Sequence, residues 1–117
     1  DVYKRQSLDL ELIGRLRGAL ERSGRDEQAV PLVLHGSSGV ADAVIANAVR
    51  AGMTKINVST HLNGFFTRAI RSTLDADEKL VDSRKYLSPA REALAGEAAR
   101  MLRLFALESA GVAGRPA

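Results

Sequence analysis

The first half of the chain switches between helical stripes and short apolar runs. From Ser7 to Ser23, Leu8, Leu12, Leu16 and Leu20 recur every fourth residue with Ile13 beside them, which predicts an amphipathic helix. Gly24 is placed to stop it, because glycine takes the left-handed conformation at a helix end without a Cβ penalty. A polar connection, Arg25 to Ala29, follows. Pro31-Leu32-Val33-Leu34-His35 is apolar without alternation, the pattern of a parallel strand covered on both faces. Gly36-Ser37-Ser38-Gly39 reads as a tight polar loop. A second helix is expected from about Ala41 to Ala51, with Val44, Ile45, Ala48 and Val49 on one face and Gly52 closing it. Thr54 to Val58 predicts a second strand.

The second half is helical. His61 to Asp75 carries Leu62, Phe65, Phe66, Ala69, Ile70 and Leu74 as a stripe. Asp77 to Tyr86 is charged and irregular. Ser88-Pro89 has the form of an N-cap and first helical position. The last helix is expected from Pro89 to Ala110, carrying Leu94, Ala98, Met101, Leu102 and Phe105. Gly111 would end it and Val112 to Ala117 would fray. The order α-β-α-β-α-α calls for parallel βα units. A two-stranded sheet rarely stands alone. The pattern therefore leaves two architectures: a small α/β domain, or one end of a larger barrel.

Length sharpens that choice. The 117 residues suit one compact domain, and 45% apolar content can supply a core. A complete (β/α)₈ barrel needs about 250 residues. The longest apolar run, Ala29 to Leu34, is far short of the roughly 20 residues that span a membrane. Asp1 to Gln6 is polar and basic, without the form of a secretory signal. With no Cys there is no disulfide framework and no Cys-based zinc or redox site. Any metal must use carboxylates or the two His residues.

A net charge of +3 invites a nucleic-acid reading, and the distribution argues against it. Arg15, Arg17, Arg22 and Arg25 alternate with Glu11, Glu21, Asp26 and Glu27, which is the habit of a solvated helix face. Aromatics, at 4%, are too few for a base-stacking platform.

The candidate chemistry sits after the two strands. In His35-Gly36-Ser37-Ser38-Gly39, the glycines admit close backbone approach. Successive N–H groups leading into a helix form an anion cradle, and Ser37 and Ser38 add hydroxyls. Asn57-Val58-Ser59-Thr60 ends the second strand. If Asn57 points into a barrel, so does Lys55, which is then expected to be one member of a structural ion pair. His35 lies at the C-terminal end of a parallel strand, where ligands and metals gather in α/β folds. A buried, backbone-bonded His is the plainer alternative there. His61 opens a helix, where a surface or capping role is expected.

Four segments in order resemble the class II, zinc-dependent ketose-bisphosphate aldolases, which include fructose- and tagatose-bisphosphate aldolases. They are Leu8 to Ile13, Pro31 to Val40, Gly52 to Thr60, and Asp82 to Arg91. The resemblance implies the C-terminal part of a (β/α)₈ TIM barrel: strands seven and eight, flanking helices and a closing helix over residues 7–117. Asp1 to Gln6 has no counterpart and is expected to be a non-native leader. His35 matches one of three His ligands of the catalytic Zn²⁺. Gly36 and Ser38 match phosphate-binding positions, and Ser59 and Thr60 match further phosphate contacts. Asn57 matches an Asn that contacts the substrate near the reacting carbons. Ser37, Ser59, His61 and Asn63 depart from residues common at their positions.

The implied reaction is reversible cleavage of a ketose 1,6-bisphosphate to glycerone phosphate and glyceraldehyde 3-phosphate. Zinc would polarise the C2 carbonyl as the C3–C4 bond breaks. The other two zinc ligands and the proton-moving Asp belong to earlier strands of the family, so the isolated segment is expected to be inactive. The parent enzyme would be cytoplasmic and homo-oligomeric, without membrane or nucleic-acid partners. The alternative is a non-catalytic α/β phosphate-binding or interaction module.

Overall fold

The computed structural model describes residues 7–24 and 30–108. The expected leader at 1–6, the polar connection at 25–29, the Gly111 stop and the terminal tail lie outside the described residues. The elements are α1 (Leu10–Arg22), β1 (Leu32–Leu34), α2 (Asp42–Arg50), β2 (Met53–Ile56), α3 (Thr60–Ala76) and α4 (Arg84–Phe105). They fall into two compact units that divide after Val58.

In the first unit the two strands pair in parallel, as the βα order requires. Leu32 stands opposite Met53 and Leu34 opposite Ile56, with an irregularity between Leu32 and Val33. Ile13, Leu34, Ala48 and Met53 form the core, with Leu8, Leu32, Ala51 and Ile56 packed around it. α1 starts later than its apolar pattern suggested. Asp9 is its N-cap, its carboxylate accepting the Leu12 N–H at 2.9 Å. Gly24 takes a φ of 71° after the helix, as expected.

The buried side of α1 differs from the leucine row. Ile13 is buried, while Leu12 and Leu16 are 43% and 48% exposed. A strict i, i+4 row advances about 40° at each step, so it spirals away from any flat neighbour. The face that turns inward keeps Ile13 and Leu20 of the expected stripe and adds Arg17. Gly52 makes room for this packing. A Cβ there would lie 3.1 Å from Arg17 Cγ, and its φ of 113° suits only glycine.

The strands also depart from full burial. Val33 is 36% exposed and Lys55 is exposed. Covering both faces takes further elements, and the described residues form a two-stranded sheet.

In the second unit α3 and α4 pack along each other. The α3 stripe is half-buried throughout, matching the expected face. α4 differs at three points. It begins at Arg84, so Ser88-Pro89 is not its start and Pro89 lies inside the helix. The Asp82 carboxylate accepts the Arg84 backbone N–H at 3.1 Å and its guanidinium at 2.8 and 2.9 Å, starting the helix one turn early. The helix ends at Phe105, not Ala110. Leu107 N–H bonds Leu104 O and Glu108 N–H bonds Arg103 O, closing a Schellman motif. Leu107 holds a φ of 60° in the position usually given to glycine. A left-handed non-glycine costs about 1 kcal/mol, and burial of the Leu107 side chain offsets it. Finally, the buried row is Ala90, Glu97, Met101 and Leu104, while Leu102 is 67% exposed. Of the expected apolar row, Met101 is buried and Leu94, Ala98 and Phe105 are half-buried beside it.

Ile13→Ala is expected to cost about 2–4 kcal/mol in chemical denaturation. Leu16→Ala should cost under about 0.5 kcal/mol. Equal losses would contradict the inward face assigned to α1.

Candidate functional site

The pairing of Leu34 with Ile56 sets the two strand ends level. The Asn57 N–H continues the ladder, donating to Leu34 O at 3.0 Å. His35 and Asn57 therefore stand side by side, one residue beyond each strand. The Asn57 Nδ2 group lies 3.1 Å from His35 Nδ1. A carboxamide offers both a donor and an acceptor, so Asn57 can hold the imidazole in either neutral tautomer. His35 is exposed and Nε2 remains for another partner.

The loop after β1 is tied to the same place. The Ser37 hydroxyl donates to Asn57 O at 2.8 Å, and Ser37 is only 6% exposed. Ser37 thus braces one strand end against the other, leaving its backbone rather than its hydroxyl to face a ligand. The Val40 N–H returns to Ser37 O at 3.2 Å, closing a turn with Gly39 at φ 82°. Gly36 takes φ 65°. A Cβ on either glycine would meet nothing within 4 Å, so the loop's outer side is open. Ser38 is exposed on that turn. His35, Gly36, Ser37, Ser38, Gly39 and Asn57 thus share the end of one sheet.

Ser59 and Thr60 belong to the second unit. Ser59 is the N-cap of α3 and Thr60 its first residue, and both are exposed. The Ser59 side chain makes no capping bond, and the first turn of α3 holds no acidic residue.

Beside that turn lies a cluster that the apolar pattern did not disclose. Glu97 is 8% exposed, and Arg100 donates to both of its oxygens, Nη2 to Oε1 at 2.6 Å and Nε to Oε2 at 2.9 Å. The His61 Nε2 group bonds Glu97 Oε1 at 2.6 Å. The His61 ring lies 5.2 Å from that of Phe65, and the Arg68 guanidinium sits 4.5 Å above the Phe65 ring. The hydrogen bond from Arg100 holds the Glu97 carboxyl at about 2, against a smaller opposing effect of burial and with further help from His61. His61, its side chain 36% exposed, is thus a partly exposed residue bonded to the buried Glu97. The available signal was Glu97 itself, a lone acid at i+7 from Ala90 and i−4 from Met101.

Among the described residues no group of three His, Asp or Glu side chains could hold a metal ion. A catalytic zinc site normally takes three protein ligands, so His35 by itself does not make one. A depression of about 250 Å³ on α4 is lined by Arg84, Leu87, Ser88 and Arg91, none of them an expected site residue. No described helix is long and apolar enough to cross a membrane.

The family model described as fructose-bisphosphate aldolase class-II matches residues 1–111. The chain belongs to this family. A fructose-bisphosphate aldolase from Geobacillus stearothermophilus is 38% identical over 81 residues, covering 69% of this chain and 28% of that protein. One from Staphylococcus aureus (strain Mu50) is 45% identical over 65 residues, covering 56% of this chain and 23% of the relative. The chain thus spans about a quarter of the length of these fructose-bisphosphate aldolases. The crystal structure of the YdjI aldolase from Escherichia coli K12 is similar at a TM-score of 0.65 and 28% identity. That likeness covers 90% of this chain and 35% of that one.

A carboxyl lowered from its ordinary 4.5 to about 2 on folding adds stability that is complete above about pH 4.5 and is lost as pH falls toward 2. Acid unfolding followed by circular dichroism should show this loss, and Glu97→Gln should flatten the curve in that window. An unchanged slope in the variant would contradict the network.

Proposed function

We propose that this chain forms the last two βα units and closing helix of a (β/α)₈ barrel, in a zinc-dependent aldolase acting on a ketose 1,6-bisphosphate. The observation that carries the reading is the meeting of His35 and Asn57 at the C-terminal ends of two parallel strands. Barrel enzymes hold their active sites at that end. Membership of the class-II family supplies the reaction class.

In this reading His35 is one zinc ligand, and the others come from parts of the barrel that this chain does not contain. With Nε2 kept for the metal, Nδ1 carries the ring proton and donates it to the Asn57 carboxamide oxygen, the two groups lying 3.1 Å apart. The amide hydrogens of Asn57 are then left to hold an oxygen of the reacting unit, an electrostatic role. The N–H groups of Gly36, Ser37, Ser38 and Gly39 and the Ser38 hydroxyl grip a phosphate; Ser59 and Thr60 are read as phosphate contacts from the family resemblance alone. Anchoring the phosphate turns remote binding energy into orientation of the bond to be broken.

The 117-residue chain by itself should not cleave fructose 1,6-bisphosphate, with or without added zinc, in an assay for released glycerone phosphate. In an enzyme of the relatives' full length that carries this segment, His35→Ala should reduce turnover to background. Asn57→Ala should lower kcat by about 10²–10³. Turnover surviving His35→Ala would overturn the ligand assignment, and cleavage by the isolated chain would overturn its reading as part of a site.

A further inference from the structure

We propose that His61 is a positioning residue: through its bond to Glu97 it fixes the first turn of α3, and with it Ser59 and Thr60. The inference rests on the reading of those two residues as phosphate contacts.

His61 is the second residue of α3, directly after Thr60. The start of a helix carries partial positive charge from its unpaired N–H groups, which an acid in the first turn would normally balance. α3 has no such acid and no side-chain cap. Glu97 on α4 offers a carboxylate oxygen to this turn instead, and His61 is the group that reaches it, at 2.6 Å. The position is rigid on the α4 side. Glu97 is buried, and Arg100 grips both its oxygens. That grip also neutralises the carboxylate, so the acid does not repel an anion at the same turn. Phe65, one helical turn on, lies against the His61 ring, and Arg68 covers the Phe65 ring. The imidazole therefore has a partner at its tip and a neighbour on its flank.

The consequence falls on the backbone just ahead. The Asn63 N–H donates to Ser59 O at 3.0 Å, the first full helical bond of α3. With the His61 tip anchored, this turn is held in the geometry that presents Thr60. With it released, nothing described in the first turn replaces the contact, and the turn frays.

The test uses the 117-residue chain with ¹⁵N labelling. In His61→Ala, hydrogen exchange at the Asn63 amide should speed up about tenfold, while amides in the middle of α4 stay unchanged. His61→Gln, whose amide nitrogen can reach the same carboxylate oxygen, should restore protection, which loss of ring packing alone would not allow. Titration with inorganic phosphate should move the Thr60 and His61 amides in the unaltered chain, and the apparent affinity should fall at least fivefold in His61→Ala. Unchanged Asn63 exchange, or failure of His61→Gln to restore it, overturns the positioning role. Equal phosphate affinity in His61→Ala overturns it while leaving the phosphate reading intact. No response to phosphate in the unaltered chain overturns the phosphate reading of Ser59 and Thr60, and the role of His61 falls with it.

Discussion

The parallel register that sets Leu34 opposite Ile56 is the constraint from which the candidate site follows. It makes residue 35 the neighbour of residue 57, which no local propensity could do. The backbone bond from Asn57 N–H to Leu34 O fixes the offset. The Ser37 hydroxyl then locks the following loop to the same carbonyl end. Sterics at Gly52 contribute indirectly, because the chain turns from α2 into β2 there while passing close to Arg17. A shift of the pairing by one residue would turn alternate side chains to the opposite face and separate the imidazole from the carboxamide.

The second unit solves a different problem. It places a carboxylate on the inward row of α4, which is costly unless every oxygen is paired. Arg100 and His61 supply the pairing. The result is a polar link between two helices whose remaining contacts are largely apolar. Such a link specifies one alignment of the helices more narrowly than an aliphatic contact, because only one geometry satisfies all its donors.

Element types and order were legible in the amino-acid sequence, and so was the parallel pairing. The α2 face and the α3 stripe were read correctly because their apolar residues follow helical spacing without interruption. The α1 face was read in part: Ile13, Leu8 and Leu20 turn inward as the stripe implied, while Leu12 and Leu16 are exposed and Arg17 takes an inward place. The α4 row was read in part: Met101 is buried and Leu94, Ala98 and Phe105 are half-buried, while Leu102 is exposed and buried Glu97 carried no apolar signal. The α4 start was missed because Ser88-Pro89 imitates a helix start, whereas Asp82, one residue ahead of the Ser83 N-cap, accepts the Arg84 N–H. His35 and Asn57 were each singled out as strand-end residues, but their contact depends on a register that residue spacing cannot express. Lys55 is exposed on the two described strands, a sheet that encloses no barrel interior.

The central claim is that strand pairing joins His35 to Asn57 as one functional unit. Long-range ¹H–¹⁵N spectra of the imidazole side chains in the 117-residue chain test it most directly. Asn57→Ala should shift the His35 Nδ1 resonance markedly and leave both ring nitrogens of His61 in place. A His35 ring spectrum indifferent to Asn57→Ala would contradict the account.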